Sequence, residues 1–336
     1  MKSLKKRILS GMRPTGDLHI GHLFGVLENW VNFQQTHDCF FMVADWHALM
    51  GEYKRSSAIS KAIESNIADW LAAGIDPEKA SIFVQSDVPE HLELYALFST
   101  LTPIPWLERC PTYKEQLQEL KDKDIFTHAF LGYPVLQAAD IALYRAHQVP
   151  VGKDQLPHLE LTREIVRRFH HIFDCDIFPE PEPILDNQRN KILGIDRRKM
   201  SKSYNNHIGL GSPKEELSSK VKQMVTDPKR LRLKDPGHPD DCNVFTYYSF
   251  FEPSQEAEVK EWCEKAQKGC SECKSILSDH MNEKLEPWRE KRKYFLDRPD
   301  DLKDILQAGA SSARIQAQET LSQVRDVVAW RKFYDV

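Results

Sequence analysis

The sequence predicts a doubly wound α/β protein: a parallel sheet wrapped by helices, followed by a smaller C-terminal helical domain. Three observations predict it. Short β-type runs alternate with helical patterns through residues 7–86. That alternation stops near residue 205, beyond which only helical patterns are found. The chain has 336 residues, 41% of them apolar, enough for one large domain and a smaller partner.

The elements follow in order. RILSG (7–11) reads as a strand and HLFGVLENWVNF (22–33) as a helix. CFFMVAD (39–45) is apolar enough for a buried strand. Residues 56–74 carry apolar positions at helical spacing, and Gly74 supplies the stop. SIFVQS (81–86) is again a short β-type run. Gly11 and Asp45 stand at strand ends, where sheets of this kind bind ligands. Residues 90–146 read as helical, interrupted at TPIPW and at Tyr133–Pro134. PVGKDQ (150–155) is expected to be a loop opening a helix in which Leu161, Ile165, Phe169 and Phe173 recur at every fourth position. FPEPEPI (178–184) reads as a rigid connector. Residues 214–336 read as helices, with a loop-rich interval at 227–243. The expected domains are 1–204 and 205–336.

A net charge of −4 excludes a general nucleic-acid adhesive, so any nucleic acid must meet local basic patches. No apolar run approaches the ~18 residues that span a bilayer. In the basic start MKSLKKRILSGMRPTG, Gly and Pro arrive too early for a signal-peptide core. A cytoplasmic protein without a membrane segment is expected. Of the seven cysteines, Cys242, Cys263, Cys270 and Cys273 are clustered; in a cytoplasmic protein such a group argues for metal rather than disulfides.

Two motifs carry the chemistry. In DLHIGHLFGVLENW, His19 and His22 could be a metal pair, packing or capping histidines, or donors to a phosphate at a helix N-terminus. The motif alone leaves all three open. Gly21 would let a flat base approach the backbone. In RRKMSKSYNN, Lys199 and Lys202 make a compact cationic loop, with Ser201 and Ser203 as further donors. By itself such a run is commonly a solvated loop.

Together, His19-Ile20-Gly21-His22 and Lys199-Met200-Ser201-Lys202-Ser203 resemble the HIGH and KMSKS signatures of class I aminoacyl-tRNA synthetases. ILSGMRPTG-LHIGH, VADWHAL, IFVQS-VPEH, YPVLQAADI, VPVGKDQ, HLELTREI and VTDP resemble the tryptophanyl branch over essentially the whole chain. The resemblance implies a Rossmann-like catalytic domain with a helical insertion at about 90–146, and an anticodon-binding helical domain. It implies that L-tryptophan is activated with ATP and Mg2+ and passed to the terminal ribose of tRNA(Trp). His19, His22, Lys199 and Lys202 would be catalytic. Arg13, Gly21, His22, Gly152, Asp154, Lys199, Met200, Ser201 and Lys202 would bind ATP. Leu9, Gly11, His47, Tyr133, Gln137, Asp140 and Gln155 would bind tryptophan, with Asp140 accepting the indole N–H and Gln155 meeting the amino group. Relatives are homodimers joined through the 90–146 region, and the same is implied here.

The cysteine spacing C-x20-C-x6-C-x2-C suits structural zinc or an iron–sulfur cluster, and unrelated buried thiols are a third reading. Resemblance to the cluster-bearing tryptophanyl enzymes favours [4Fe-4S], with Zn2+ as the alternative. Lys229, Arg230, Arg232 and Lys234 could meet RNA phosphates or line a solvated loop. The rival functions are a tyrosyl-tRNA synthetase, an RNA-binding metalloprotein without ligase activity, and a nucleotidyltransferase forming another adenylate.

Overall fold

In the structure, a computed structural model, residues 5–111, 127–185 and 192–330 are described, the side chain of Ser203 excepted. Five parallel strands form one sheet: β1 (Arg7–Met12), β2 (Asp38–Val43), β3 (Ala80–Val84), β4 (Gln148–Val151) and β5 (Glu182–Leu185). Their order is β3-β2-β1-β4-β5. The winding therefore reverses between β1 and β4, which opens a crevice beyond their carboxyl ends. Gly11 lies in the last turn of β1 and Gly152 just after β4, so the two glycines flank that crevice.

The strands bury both faces, and alternation sorts their side chains into two cores. Cys39, Phe41 and Val43 of β2 join one core with Ile8, Ile82, Trp30 and Trp70. Phe40 and Met42 join the other with Leu9, Phe83 and Tyr144. Trp30 and Phe41 stack with ring centroids 4.4 Å apart, and Trp70 meets Trp30 edge-on.

The first crossover is less regular than its amphipathic pattern suggests. A short α1 (Ile20–His22) passes into a π-helical turn, Leu23–Leu27, and then into α2 (Glu28–Thr36). The wide turn directs Phe24 and Leu27 into the first core. After α3 (Asp45–Glu52), the long α4 (Ser56–Ala73) ends at Gly74, which adopts φ 103° as the expected stop requires. Asp45 opens α3, and its carboxylate accepts the Ser86 N–H, tying the ends of β2 and β3.

Within the 90–146 region, α5 (Glu90–Leu101) and α6 (Ile104–Glu108) break at Pro103, as the TPIPW interruption predicts. The expected break at Tyr133–Pro134 does not occur. Pro134 lies inside α7 (His128–Leu143), buried on most sides, so packing overrides the single lost hydrogen bond. Residues 112–126 of this insertion lie outside the described residues. Two strands escaped the sequence reading. Part of PVGKDQ is β4, and part of the proline-rich connector is β5. Prolines are tolerated in β5 because it is a sheet edge, pairing with β4 alone.

After α8 (Leu156–Phe173) the C-terminal part is helical: α9 (Lys214–Gln223), α10 (Asn243–Phe251), α11 (Glu256–Glu264), α12 (Cys270–Leu296) and α13 (Pro299–Val327). Residue 205 is not a break in the core. Leu217, Tyr247, Leu277, Met281 and Trp288 belong to the same apolar cluster as Ile8 and Phe41. The last helix returns to the sheet and covers the free edge of β3, where Gly309 approaches the Ile82 carbonyl. Arg314 pairs with Glu90 and Arg325 with Glu93, fastening α13 to α5.

A Cβ at position 309 would lie 1.8 Å from the Ile82 oxygen, a backbone atom that cannot turn aside. Gly309→Ala is therefore expected to cost about 3 kcal/mol or more in urea unfolding. Gly25→Ala, whose Cβ meets nothing within 4 Å, is the control and should be neutral or stabilising.

Candidate active site

The two signature segments meet through backbone pairing. Ile20 N–H donates to the Ile208 carbonyl at 3.0 Å and Leu210 N–H to the Leu18 carbonyl at 2.9 Å, with His19 opposite Gly209. The lysine loop is docked by Lys202, whose Nζ donates to the Thr15 carbonyl at 3.2 Å. Gly16, at φ 105°, leaves room for that ammonium: a Cβ there would come within 3.2 Å of it.

The His19 imidazole and the Met200 sulfur both lie close to Gly21. A Cβ at Gly21 would lie 3.0 Å from the imidazole and 3.6 Å from the Met200 sulfur. The Met200 side chain is itself buried in the first core, so it anchors the loop rather than facing the crevice. Lys199 is exposed, whereas Ser201 is held by its backbone N–H donating to Asn206 Oδ1 at 2.8 Å. Asn206 also donates to Asp196 and to the Lys199 carbonyl. This buried amide builds the loop that presents both lysines, and the sequence reading passed over it.

The imidazoles are electrostatically set. Burial, then the charges of His22 and Lys202, lower the His19 pKa to about 3. Burial and Lys202 lower His22 to about 4. Both are neutral, so their rings serve as hydrogen-bonding groups while the lysines supply the charge. His22 Nδ1 accepts the His19 backbone N–H at 3.1 Å, which leaves the proton on Nε2 as a donor. A third imidazole, His207, lies with its ring 6.1 Å from His19.

Across β1, the face of α7 carrying Tyr133, Gln137 and Asp140 forms the second half of the site. Asp140 is buried with both oxygens engaged. His47 Nε2 contacts Oδ2 at 2.7 Å, His91 Nδ1 contacts Oδ1 at 2.6 Å, and Gln85 Nε2 donates to both. Burial alone would raise its pKa. The flanking His91 and His47 overcome that and hold the carboxyl down at about 2, so it remains ionised. His91 Nε2 in turn contacts the Tyr144 hydroxyl at 2.8 Å.

A second polar chain starts at β4. Gly152 has no side chain because the Asp154 carboxylate sits where its Cβ would be, 2.5 Å away. Gln155 donates to Asp154 and accepts from His158 Nδ1, and His158 Nε2 accepts from the Tyr133 hydroxyl at 2.8 Å. Leu9 is buried beside this half, while Gly11 and Arg13 are exposed at the end of β1. Gln85, His91 and His158 were not singled out from the sequence. The first two stand just past a buried strand, and His158 is one helical turn beyond Gln155, which was the available signal.

The four clustered cysteines line one small cavity with Thr226, Arg230, Val244, Trp262 and Lys268. All are free thiols, and burial raises the pKa of Cys242, Cys263 and Cys273, the last to about 12. Arg230 Nη1 reaches the Cys270 sulfur at 3.9 Å. Among the described residues, no three or more His, Cys, Asp or Glu side chains form a group that could hold a metal ion. In the basic interval, Lys229 is paired with Asp241, and Arg230 donates to the carbonyls of Leu233 and Lys268. No helix among the described residues is long and apolar enough to cross a membrane.

Residues 2–286 match the family of "tRNA synthetases class I (W and Y)". The tryptophan–tRNA ligase of Thermotoga maritima is 50% identical over 323 residues, covering 95% of this chain and 98% of that one. The ligase of Aquifex aeolicus is 40% identical and also covers 95% of this chain and 98% of its own length. The crystal structure of Campylobacter jejuni tryptophanyl-tRNA synthetase complexed with ADP and tryptophan superposes with a TM-score of 0.89 at 35% identity, covering 96% of this chain and 99% of that one.

The histidine electrostatics are open to direct measurement. In an NMR titration of the histidine rings, His19 and His22 should remain neutral at every pH above about 5. A midpoint near the ordinary value of 6.5 for either ring would contradict their burial.

Proposed function

Because this chain belongs to the class I tRNA synthetases of the tryptophan and tyrosine group, we propose that it joins L-tryptophan to tRNA(Trp) using ATP. It is a tryptophan–tRNA ligase. The observation that carries this reading is the alliance of a docked lysine loop with a buried, ionised Asp140, in a chain half identical to a tryptophan–tRNA ligase over nearly its full length.

The reaction needs no protein nucleophile. The tryptophan carboxylate attacks the α-phosphorus of ATP, supplied as its magnesium complex, and pyrophosphate leaves. Catalysis is then positioning plus stabilisation of charge on the phosphoryl oxygens. ATP lies over the β1–β4 crevice, with Gly21 beneath the base and Gly152 and Asp154 at the ribose. His19 and His22 donate to the nucleotide, and Arg13, Ser201, Lys199 and Lys202 meet the phosphates. The Lys202 ammonium, which rests on the Thr15 carbonyl, would serve the pyrophosphate oxygens on closure of the loop.

Tryptophan enters the other half, against Leu9 and Gly11, beside Tyr133 and Gln137. Asp140 accepts its indole N–H. The carboxylate has four acceptor directions and four contacts already. One donor must therefore yield, and His47, whose side chain is 13% exposed against 0% for His91, is the one able to move. Gln155 Oε1, which accepts from His158 Nδ1, has a second lone pair for the substrate ammonium, while its Nε2 stays on Asp154. A ring without an N–H would leave a buried carboxylate short of a donor, which is the source of selectivity.

The C-terminal helices form the anticodon-binding part, with Arg232 and Lys234 among the phosphate contacts. Cys242, Cys263, Cys270 and Cys273 would hold a [4Fe-4S] cluster, which would serve as a structural cross-link of this region. Two features support the fit. The four thiols line one cavity, and Arg230 and Lys268 beside them would offset thiolate charge. Two copies of the chain join through the 90–146 region.

Lys199→Ala with Lys202→Ala should lower tryptophan-dependent ATP–pyrophosphate exchange by at least about a hundredfold while tryptophan binding persists. Wild-type exchange driven by tyrosine instead would reject the substrate. Purified anaerobically, the protein should be brown and carry about four iron and four sulfide per chain. Stoichiometric zinc in a colourless preparation would decide for the alternative metal.

A further inference from the structure

Arg292 is a half-buried arginine of α12, distant in sequence from every signature residue. Its Nε donates to Asp69 Oδ1 at 2.5 Å, and its Nη2 to Ser65 Oγ at 2.7 Å. Ser65 Oγ donates onward to Asp17 Oδ1 at 2.7 Å, and Asp17 also lies 3.8 Å from the guanidinium. Asp69 is 1% exposed on α4, and its carboxylate takes a hydrogen bond from the Leu18 backbone. On the other side Gly211 lies against the guanidinium, where a Cβ would come within 3.1 Å of Cζ.

These contacts converge on one place. Asp17 and Leu18 lead directly into His19, and Gly211 directly follows Leu210. Leu18 and Leu210 are the partners in the backbone clip that joins the histidine segment to the lysine loop. One guanidinium from the C-terminal helices therefore touches the flanks of both strands of that clip. Its charge partner, Asp69, is one of the two acidic groups acting on the Lys202 ammonium, the other being Asp17. A neutral side chain at 292 would deprive Asp69, whose pKa burial already raises to about 7, of the partner that favours its charge, and would free both flanks to shift.

We infer that Arg292 is a positioning residue for adenylate formation: it sets the spacing of the histidine and lysine motifs and makes that spacing depend on how α12 is seated. The inference rests on the ligase reading above. The tryptophan half of the site lies on the other core face, and the hydrogen-bond partners described for Asp140 and Tyr133 are His47, Gln85, His91 and His158, none of them in this network. Loss of Arg292 therefore separates turnover from tryptophan binding.

The test uses the full chain and compares wild type, Arg292→Gln, Arg292→Lys and Ser65→Ala in tryptophan-dependent ATP–pyrophosphate exchange. Tryptophan affinity and thermal unfolding are measured alongside. Arg292→Gln should lower kcat between about tenfold and a hundredfold, with tryptophan affinity held within about twofold. Arg292→Lys should recover part of the loss, and Ser65→Ala should lower kcat about threefold. A folded Arg292→Gln protein with wild-type kcat overturns the inference. So does one whose tryptophan affinity falls as far as its kcat, since that is general damage. Should Arg292→Gln fail to fold, Ser65→Ala decides, and wild-type kcat there overturns it as well. Absence of exchange in the wild-type protein would instead reject the ligase reading itself.

Discussion

The short antiparallel pairing of Leu18–Ile20 with Ile208–Leu210 is the constraint on which the site depends. It joins residues about 190 positions apart, and closing so long a loop carries only a slowly growing entropic cost. The cost is met by what surrounds the clip: Ile20, Ile208 and Leu210 are buried in the first core. With the clip in place, Lys202 falls against Thr15, and Asn206 can bind Ser201, Asp196 and the Lys199 carbonyl at once. A site for polyphosphate is thereby built from backbone geometry first and charge second.

Burial governs the electrostatics of both halves, with opposite results. At the nucleotide half it removes the charge from His19 and His22, so cations are confined to the lysines and the loop avoids accumulating like charge. At the tryptophan half, Asp140 is more deeply buried but keeps its charge, because two histidines and a glutamine hydrogen-bond it from β3's end, α3 and α5. Desolvation dominates where no partner opposes it and yields where several do. The same rule explains Tyr133 and His158. Each would be an orphan polar group in an apolar helix face, and each satisfies the other.

The helical C-terminal part is not an appendage. Its residues share the core of the sheet, its last helix seals the β3 edge, and α10 reaches the segment leading into the lysine loop. Tyr247 donates to the Leu193 carbonyl and Asn243 to that of Gly194, while Arg197 donates to the carbonyls of Asp240 and Asp241, next to Cys242. The cysteine-bearing region and the lysine loop are therefore tied together by hydrogen bonds between residues 193–197 and 240–247.

By itself the sequence determined the strand–helix alternation through residue 86, the helical C-terminus, both signature motifs and the cysteine spacing. Each of these is written in local periodicity or in short runs of residues whose types suit one chemistry. It did not reveal that β4 and β5 are strands, since four-residue runs containing proline carry no period, nor that α7 passes through Pro134. Only the tertiary structure decided that Asp140 is held by Gln85, His47 and His91, that Met200 points inward, and that Asn206 and Arg292 brace the lysine loop and the clip. Those outcomes depend on which distant elements pack together. The free energy of a buried polar group is set by partners arriving from elsewhere in the chain, and no local pattern encodes them.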